Sequence, residues 1–206
     1  MALHVLRDSV VNFNNSYITF MNTRQIKLFI VLLLTITGFL EYLHAQGTTP
    51  VIPVNPETKL ITYQEVVKVD GTKKDLYSRA IDWINVNYKN PDDATKVRDP
   101  QTGYIEILHR IDLERTDKQD TKIAAGIIVY TLKLELKDGR YRYTITDLNL
   151  KQSSKFPIER WLDKTDKAYN PNWDMYLAQM DKQFKELIES LKKGMLPGVQ
   201  KKEDVW

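Results

Sequence analysis

From Ile61 to Val69 apolar and polar residues take turns: Ile61, Tyr63, Val67 and Val69 fall on one side, Thr62, Gln64 and Lys68 on the other. Period two is the side-chain period of a half-buried strand. Asp70-Gly71-Thr72 breaks the pattern, and Thr72 with Asp75 three residues on forms a weak capping box for a helix. Leu76, Ala80, Ile84 and Tyr88 then recur at helical spacing, flanked by Tyr77, Ile81 and Trp83, until Asn90-Pro91 ends the run. One apolar stripe on a helix needs a sheet face to cover it. Residues 104–113 supply a second strand, with Ile105, Ile107, His109, Ile111 and Leu113 on one face. Residues 127–137 supply a third, with Ile128, Tyr130, Leu132, Leu134 and Leu136 inward.

Asp138-Gly139 is a strong hairpin signal, because a two-residue primed turn requires positive φ at both positions. With these two as the loop, pairing follows by counting outward. Lys137 faces Arg140, Leu136 faces Tyr141, Glu135 faces Arg142, Leu134 faces Tyr143 and Leu132 faces Ile145. Every apolar residue meets an apolar one, and Glu135 meets Arg142 on the opposite face; a slip of one residue destroys that agreement.

Beyond Leu150 the texture changes. Residues 151–169 are polar around Pro157, Trp161 and Leu162, and predict one short helix starting at Pro157. Asn170 reads as the cap and Pro171 as the first turn of a long helix. Its stripe is Trp173, Leu177, Met180, Phe184, Leu187 and Leu191, and Gly194 stops it. The alternating gaps of four and three fit core packing against the sheet better than a coiled coil, which so few heptads seldom specify. The order β-α-β-β-β-α predicts an α+β fold: an antiparallel sheet with helices packed on one face.

The start of the chain speaks of export. Residues 28–40 are apolar and uncharged, too short to cross a hydrocarbon core; Arg24 and Lys27 precede them and Leu43-His44-Ala45 follows. Positive, apolar, small is the order of a signal peptide, with cleavage after Ala45. Residues 1–20 are polar and Asn-rich, and Met21 makes a better start; they read as an extension from an upstream start, with 21–45 the signal peptide. Residues 46–58 carry Pro50, Pro53 and Pro56 at the spacing of polyproline II and read as an extended tether. The main domain is then residues 59–150, followed by a linker and packed helix over 151–194 and a disordered tail over 195–206.

No Cys is present, which removes disulfides and a lipid-modified cysteine. An exported domain of this kind stands on its core alone. The whole chain carries a net charge of +3. One positive charge goes with the leader, since Arg7, Arg24 and Lys27 leave with Asp8 and Glu41. The remaining charges are interspersed, which gives no electrostatic footprint for nucleic acid.

The stretch Ile127 to Asp147, centred on Lys137-Asp138-Gly139-Arg140-Tyr141-Arg142-Tyr143, resembles a family of secreted Bacteroidetes proteins. So does Tyr77-Ser78-Arg79-Ala80-Ile81-Asp82-Trp83-Ile84 in the first helix. The family is a domain of unknown function with a TATA-binding-protein-like (TBP-like) fold, and the similarity covers about residues 60–150. The resemblance implies an α+β sheet crossed by a helix and an envelope location. It brings no catalytic residues, because the family has no assigned activity.

Candidate chemistry is sparse, and no catalytic, metal or cofactor constellation stands out. His109 is the one histidine beyond the leader and falls on the inward face of its strand, where a hydrogen-bonded core or edge residue is the plainer reading than a base. The carboxylates Asp112, Glu114, Asp117 and Asp120 lack the spacing and loop glycine of a calcium motif and read as a solvated turn. Arg140, Tyr141, Arg142 and Tyr143 alternate, so arginines and tyrosines part to opposite faces and cannot jointly hold a base. Trp161, Tyr169 and Trp173 gather at the two Pro-containing junctions and are the candidate rim of an apolar binding cleft. The function expected is a periplasmic or secreted non-catalytic binding module for a small apolar ligand or an envelope protein. It takes no cofactor, no metal and no nucleic acid, and meets the membrane only through the transient signal peptide. The alternative is an envelope hydrolase pairing His109 with a carboxylate. Intact mass of the secreted protein is expected to begin at Gln46; a secreted form that retains residues 28–40 overturns the cleaved-signal reading.

Overall fold

The computed structural model describes residues 50–198. They run through β1 (Tyr63–Lys68), α1 (Lys73–Asn87), α2 (Pro91–Ala94), β2 (Thr95–Asp99), β3 (Tyr104–Thr116), β4 (Lys122–Lys137) and β5 (Arg140–Leu150). The two-residue strand β6 (Phe156–Pro157), a 3-10 helix (Ile158–Leu162) and α3 (Asn172–Gly194) follow. The strands make one antiparallel sheet in the order β1-β5-β4-β3-β2, with β6 on β5. Helices α1 and α3 pack on the face carrying Ile105, Ile107, Leu132, Leu134, Tyr141 and Ile145, so the fold is α+β as expected. The signal-peptide and start-site expectations lie outside the described residues.

The hairpin has the register that the pattern requires, from Lys137↔Arg140 through Leu132↔Ile145. Glu135 and Arg142 form the cross-strand ion pair, with Arg142 Nη2 2.6 Å from Glu135 Oε1. The turn itself differs from expectation. Gly139 has φ of 70°, whereas Asp138 is not among the residues with positive φ. Asp138 is engaged elsewhere: its Oδ1 accepts from Lys73 N–H at 2.6 Å, and Gly139 N–H donates to Gly71 O at 2.9 Å. The hairpin tip thus satisfies one of the first N–H groups of α1, which have no partner within the helix. Thr72 and Asp75 complete the capping box from the other side, a device worth about 1 kcal/mol.

Farther along β5 the strict alternation fails. Thr131 pairs with Thr146 and Val129 with Asn149, so Asp147 and Leu148 together oppose Tyr130. Asp147 takes φ of 56°, and this bulge turns Leu148 into the core on an even-numbered position where Tyr141, Tyr143 and Ile145 were odd.

Strand β2 and helix α2 went unread in the sequence because hydrophobicity is not what places them. All but the two end residues of β2 are exposed, and it shows neither period two nor an apolar run. The tether expected over 46–58 is docked in its second half: Thr62 N–H donates to Pro53 O at 3.0 Å and Val54 bridges Ile61. Pro157 belongs to β6, and the short helix it was expected to start is a 3-10 turn. In α3 the buried residue is Ile188, with Leu187 only part-buried at the flank, since the helical period carries the stripe past Leu187. Met195 is fully buried rather than part of a loose tail. Gly194 does not end α3 by a left-handed turn; a β-carbon there would come within 2.6 Å of Trp83 Cδ1, so glycine permits the close approach of α1 and α3. No helix among the described residues is long and apolar enough to cross a membrane.

Gly103 is the tightest backbone site. It has φ of 76°, and an added β-carbon would lie 2.5 Å from Leu136 O. Gly103→Ala is expected to cost at least about 2 kcal/mol, because strained φ and a backbone clash combine. Gly139→Asn, with open space around its α-carbon and a residue that tolerates positive φ, is expected to cost under about 1 kcal/mol. Urea unfolding of the two variants checks the difference, and equal losses would place the constraint elsewhere.

Candidate functional site

Three junctions converge at the end of the sheet where α1 finishes. Tyr88 closes α1, Lys89 and Asn90 lead into α2, and α2 feeds β2, which runs beside β3 only as far as the Thr95↔Ile107 pair. Beyond that pair β3 continues for nine residues to Thr116 with no strand among the described residues on its outer side. The space left beside it is a cleft of about 380 Å³. Ala94, Leu108 and Val129 give it apolar walls, Lys89, Arg110 and Lys151 surround it with cations, and Asp93 is its one carboxylate. None of the three cations is in a salt bridge among the described residues.

His109 lies at the cleft, half-buried, at the outer end of a chain of rings. Its centroid is 4.6 Å from Tyr88 and 6.3 Å from Tyr130, both edge-on, and Tyr130 in turn meets Phe184 at 5.1 Å. Tyr88 and Tyr130 are buried with their hydroxyls 3.5 Å apart. Burial pushes the Tyr130 hydroxyl up to about 12 and raises Tyr88 as well, so both remain protonated at any physiological pH. Desolvation lowers the His109 pKa below its ordinary 6.5; a backbone hydrogen bond at Arg110 opposes the shift without cancelling it. Of the core or edge placement expected for this histidine the structure has the edge one: a neutral ring at the border between core and cleft. Among the described residues no carboxylate is bonded to that ring, and the cleft wall includes no Ser, Thr or Cys. The pairing of His109 with a carboxylate on which the hydrolase alternative depended is thus not formed among the described residues.

The structure brings Trp161, Tyr169 and Trp173 together, but as a filled cluster. Trp161 stacks on Trp173 with centroids 6.1 Å apart and 25° between planes, and Tyr169 meets Trp173 edge-on at 5.7 Å. Trp161 is 2% and Trp173 7% exposed, with Phe156 and Tyr176 completing the contacts. Three clefts, of about 380, 610 and 200 Å³, are all lined by other residues. The rings occupy the space they were expected to enclose. Arg160 covers the outside, 4.6 Å above Phe156 and bonded twice to Asp166.

The acidic run serves the β3–β4 turn. Asp117 Oδ1 accepts from Gln119 N–H and Thr121 N–H, both at 2.9 Å, and Glu114 pairs with Lys122 at 3.5 Å. Tyr141 and Tyr143 point into the core and Arg142 to the opposite face, as their alternation requires. Sequence reasoning missed Lys89, Arg110 and Lys151, which are far apart in the chain. The one usable signal was that β3 is long while no long apolar segment remains to flank it.

The architecture defines a TBP-like antiparallel sheet domain. Residues 63–151 match the family described as a domain of unknown function (DUF4468) with TBP-like fold, and this part of the chain is a domain of that family. A TBP-like protein from Parabacteroides distasonis is similar in structure, with a TM-score of 0.56 at 13% identity, over 70% of this chain and 96% of its own. A DUF4468 family protein from Bacteroides ovatus gives 0.51 at 12% identity, over 68% and 90%. At such identities the likeness speaks to fold alone. No curated protein matches the chain.

The lowered His109 pKa fixes a sign for pH dependence. Between the unfolded value near 6.5 and the lower folded value the unfolded chain binds more protons, so stability falls as pH falls through that window and levels off below the folded pKa. NMR titration is expected to place His109 below 6.5, and His109→Gln to flatten the stability profile there. A ring that titrates at or above 6.5 contradicts the half-buried placement.

Proposed function

We propose that this chain is an exported, non-catalytic binding module, periplasmic or secreted once the segment before Gln46 is removed, and that it takes its ligand at the cleft beside His109. Export is supported by Arg24 and Lys27 ahead of the apolar residues 28–40 and the small residue Ala45 behind them. The observation that carries the binding reading is the cleft's composition: three cations without salt-bridge partners around Ala94, Leu108 and Val129. Such a surface favours a ligand with an apolar body and a negative charge, either a small amphipathic carboxylate or an acidic segment of an envelope protein. Its charge is exposed, so each cation contributes modestly and in a salt-dependent way.

A catalytic role has less support. An imidazole acts as base on a nucleophile or water that it can reach, usually with a third group holding its tautomer. His109 is held by tyrosine rings instead. Titrating the exported protein with octanoate is expected to shift the amide signals of Lys89, residues 108–110 and Lys151. Exchanging Arg110 and Lys151 for Ala together is expected to weaken that binding about tenfold. Binding that is unchanged in the double variant, or that maps elsewhere, would remove the cleft as the site.

A further inference from the structure

Among the described residues the edge of β3 is closed in two stretches and open between them. From Tyr104 to Ile107 it is paired with β2. From Asp112 to Glu114 it is closed by two glutamines of α3 that stand in for a strand. Gln179 Oε1 accepts from Glu114 N–H at 3.0 Å while its Nε2 donates to Glu114 O at 2.7 Å, and Gln183 Nε2 donates to Asp112 O at 3.0 Å. Backbone groups of a strand point the same way at every second residue. Leu136 N–H donates to Gly103 O, which turns the odd-numbered residues of β3 toward β4 and the even-numbered ones outward. The outward groups left between the two closed stretches centre on the Arg110 N–H, with Leu108 C=O and Asp112 N–H on either side. That stretch borders the 380 Å³ cleft and its cations Lys89, Arg110 and Lys151.

We infer that an extended acidic peptide segment adds to the sheet here, pairing its backbone with residues 108–112 of β3 and placing carboxylates against Lys89, Arg110 and Lys151. The inference rests on the proposed binding role of the cleft and names its ligand. An exposed strand edge is a template for another strand, and pairing supplies affinity while side-chain contacts supply selectivity. The open stretch spans roughly 13 Å, room for a segment of four or five residues. Acidic character follows from three cations facing two carboxylates, Asp93 and, at the far end of the paired stretch, Asp112. A second copy of this chain is disfavoured as the occupant, since antiparallel self-pairing centred on Arg110 would set two Arg110 side chains opposite each other.

The test uses the exported protein and three end-blocked hexapeptides: alternating valine and glutamate, the same peptide N-methylated at alternate residues, and alternating valine and lysine. The first is expected to slow hydrogen exchange at Arg110 N–H at least tenfold at saturation. The N-methylated and lysine peptides are expected to bind at least tenfold more weakly, and Arg110→Glu with Lys151→Glu to reverse the preference between glutamate and lysine. Equal binding of the N-methylated peptide overturns strand addition while leaving an anion-binding cleft in place. If neither the glutamate peptide nor octanoate perturbs the cleft, both readings fall. Arg110 N–H already protected in a protein that sediments as a dimer also overturns the inference, because a second copy then holds the edge.

Discussion

The turn at Asp138-Gly139 is the constraint on which the rest depends. It fixes the β4–β5 register, and the register decides which face carries Leu132, Leu134, Leu136, Tyr141, Tyr143 and Ile145. A shift of one position would move these to the open face and leave α1 and α3 nothing to cover. The same two residues hold the start of α1 through Lys73 N–H and Gly71 O. Sheet register and helix position are therefore set at one place. This explains why the turn keeps aspartate at negative φ when a primed turn would have needed it positive.

Helix α3 crosses the sheet and is fastened by polar contacts at both sides. Near β3 its glutamines bond the open strand edge. Near β1 the buried Asp181 accepts from Tyr63 OH at 3.0 Å and from Lys185 Nζ at 2.6 Å, and Lys192 reaches Glu65 at 2.8 Å. A carboxylate at 4% exposure is costly unless its oxygens are bonded, so this group contributes less to net stability than to fixing where the helix sits. Apolar packing alone would hold α3 to the sheet with weaker preference for one rotation and height.

The cleft is a by-product of unequal lengths. Strand β2 has 5 residues and β3 has 13, and α3 closes only the far part of the difference. The β5 bulge at Asp147 brings Leu148 inward and lets β5 run on to Leu150, so that Lys151 emerges beside Val129 at the cleft. Ring packing with Tyr88 and Tyr130 ties the cleft residue His109 to the core.

The sequence by itself determined what depends on local period and turn chemistry. β1, α1, the long central strands, the hairpin register and the length of α3 were all legible, because burial on one face imposes a two- or three-to-four-residue repeat on neighbouring residues. The inward direction of Tyr141 and Tyr143 and the outward one of Arg142 followed from the same repeat. Tertiary structure alone decided the rest. β2 is held by edge pairing and carries no apolar signature; Gly194 is explained by Trp83, more than a hundred residues away. Asp181 interrupts an apolar stripe for the sake of Tyr63. Trp161, Tyr169 and Trp173 were visible as a group, but whether three rings line a space or fill it depends on how closely α3 approaches the 3-10 turn. The candidate cleft was the least legible feature, since it arises where pairing stops, and the ends of pairing between distant segments leave no periodic trace in either of them.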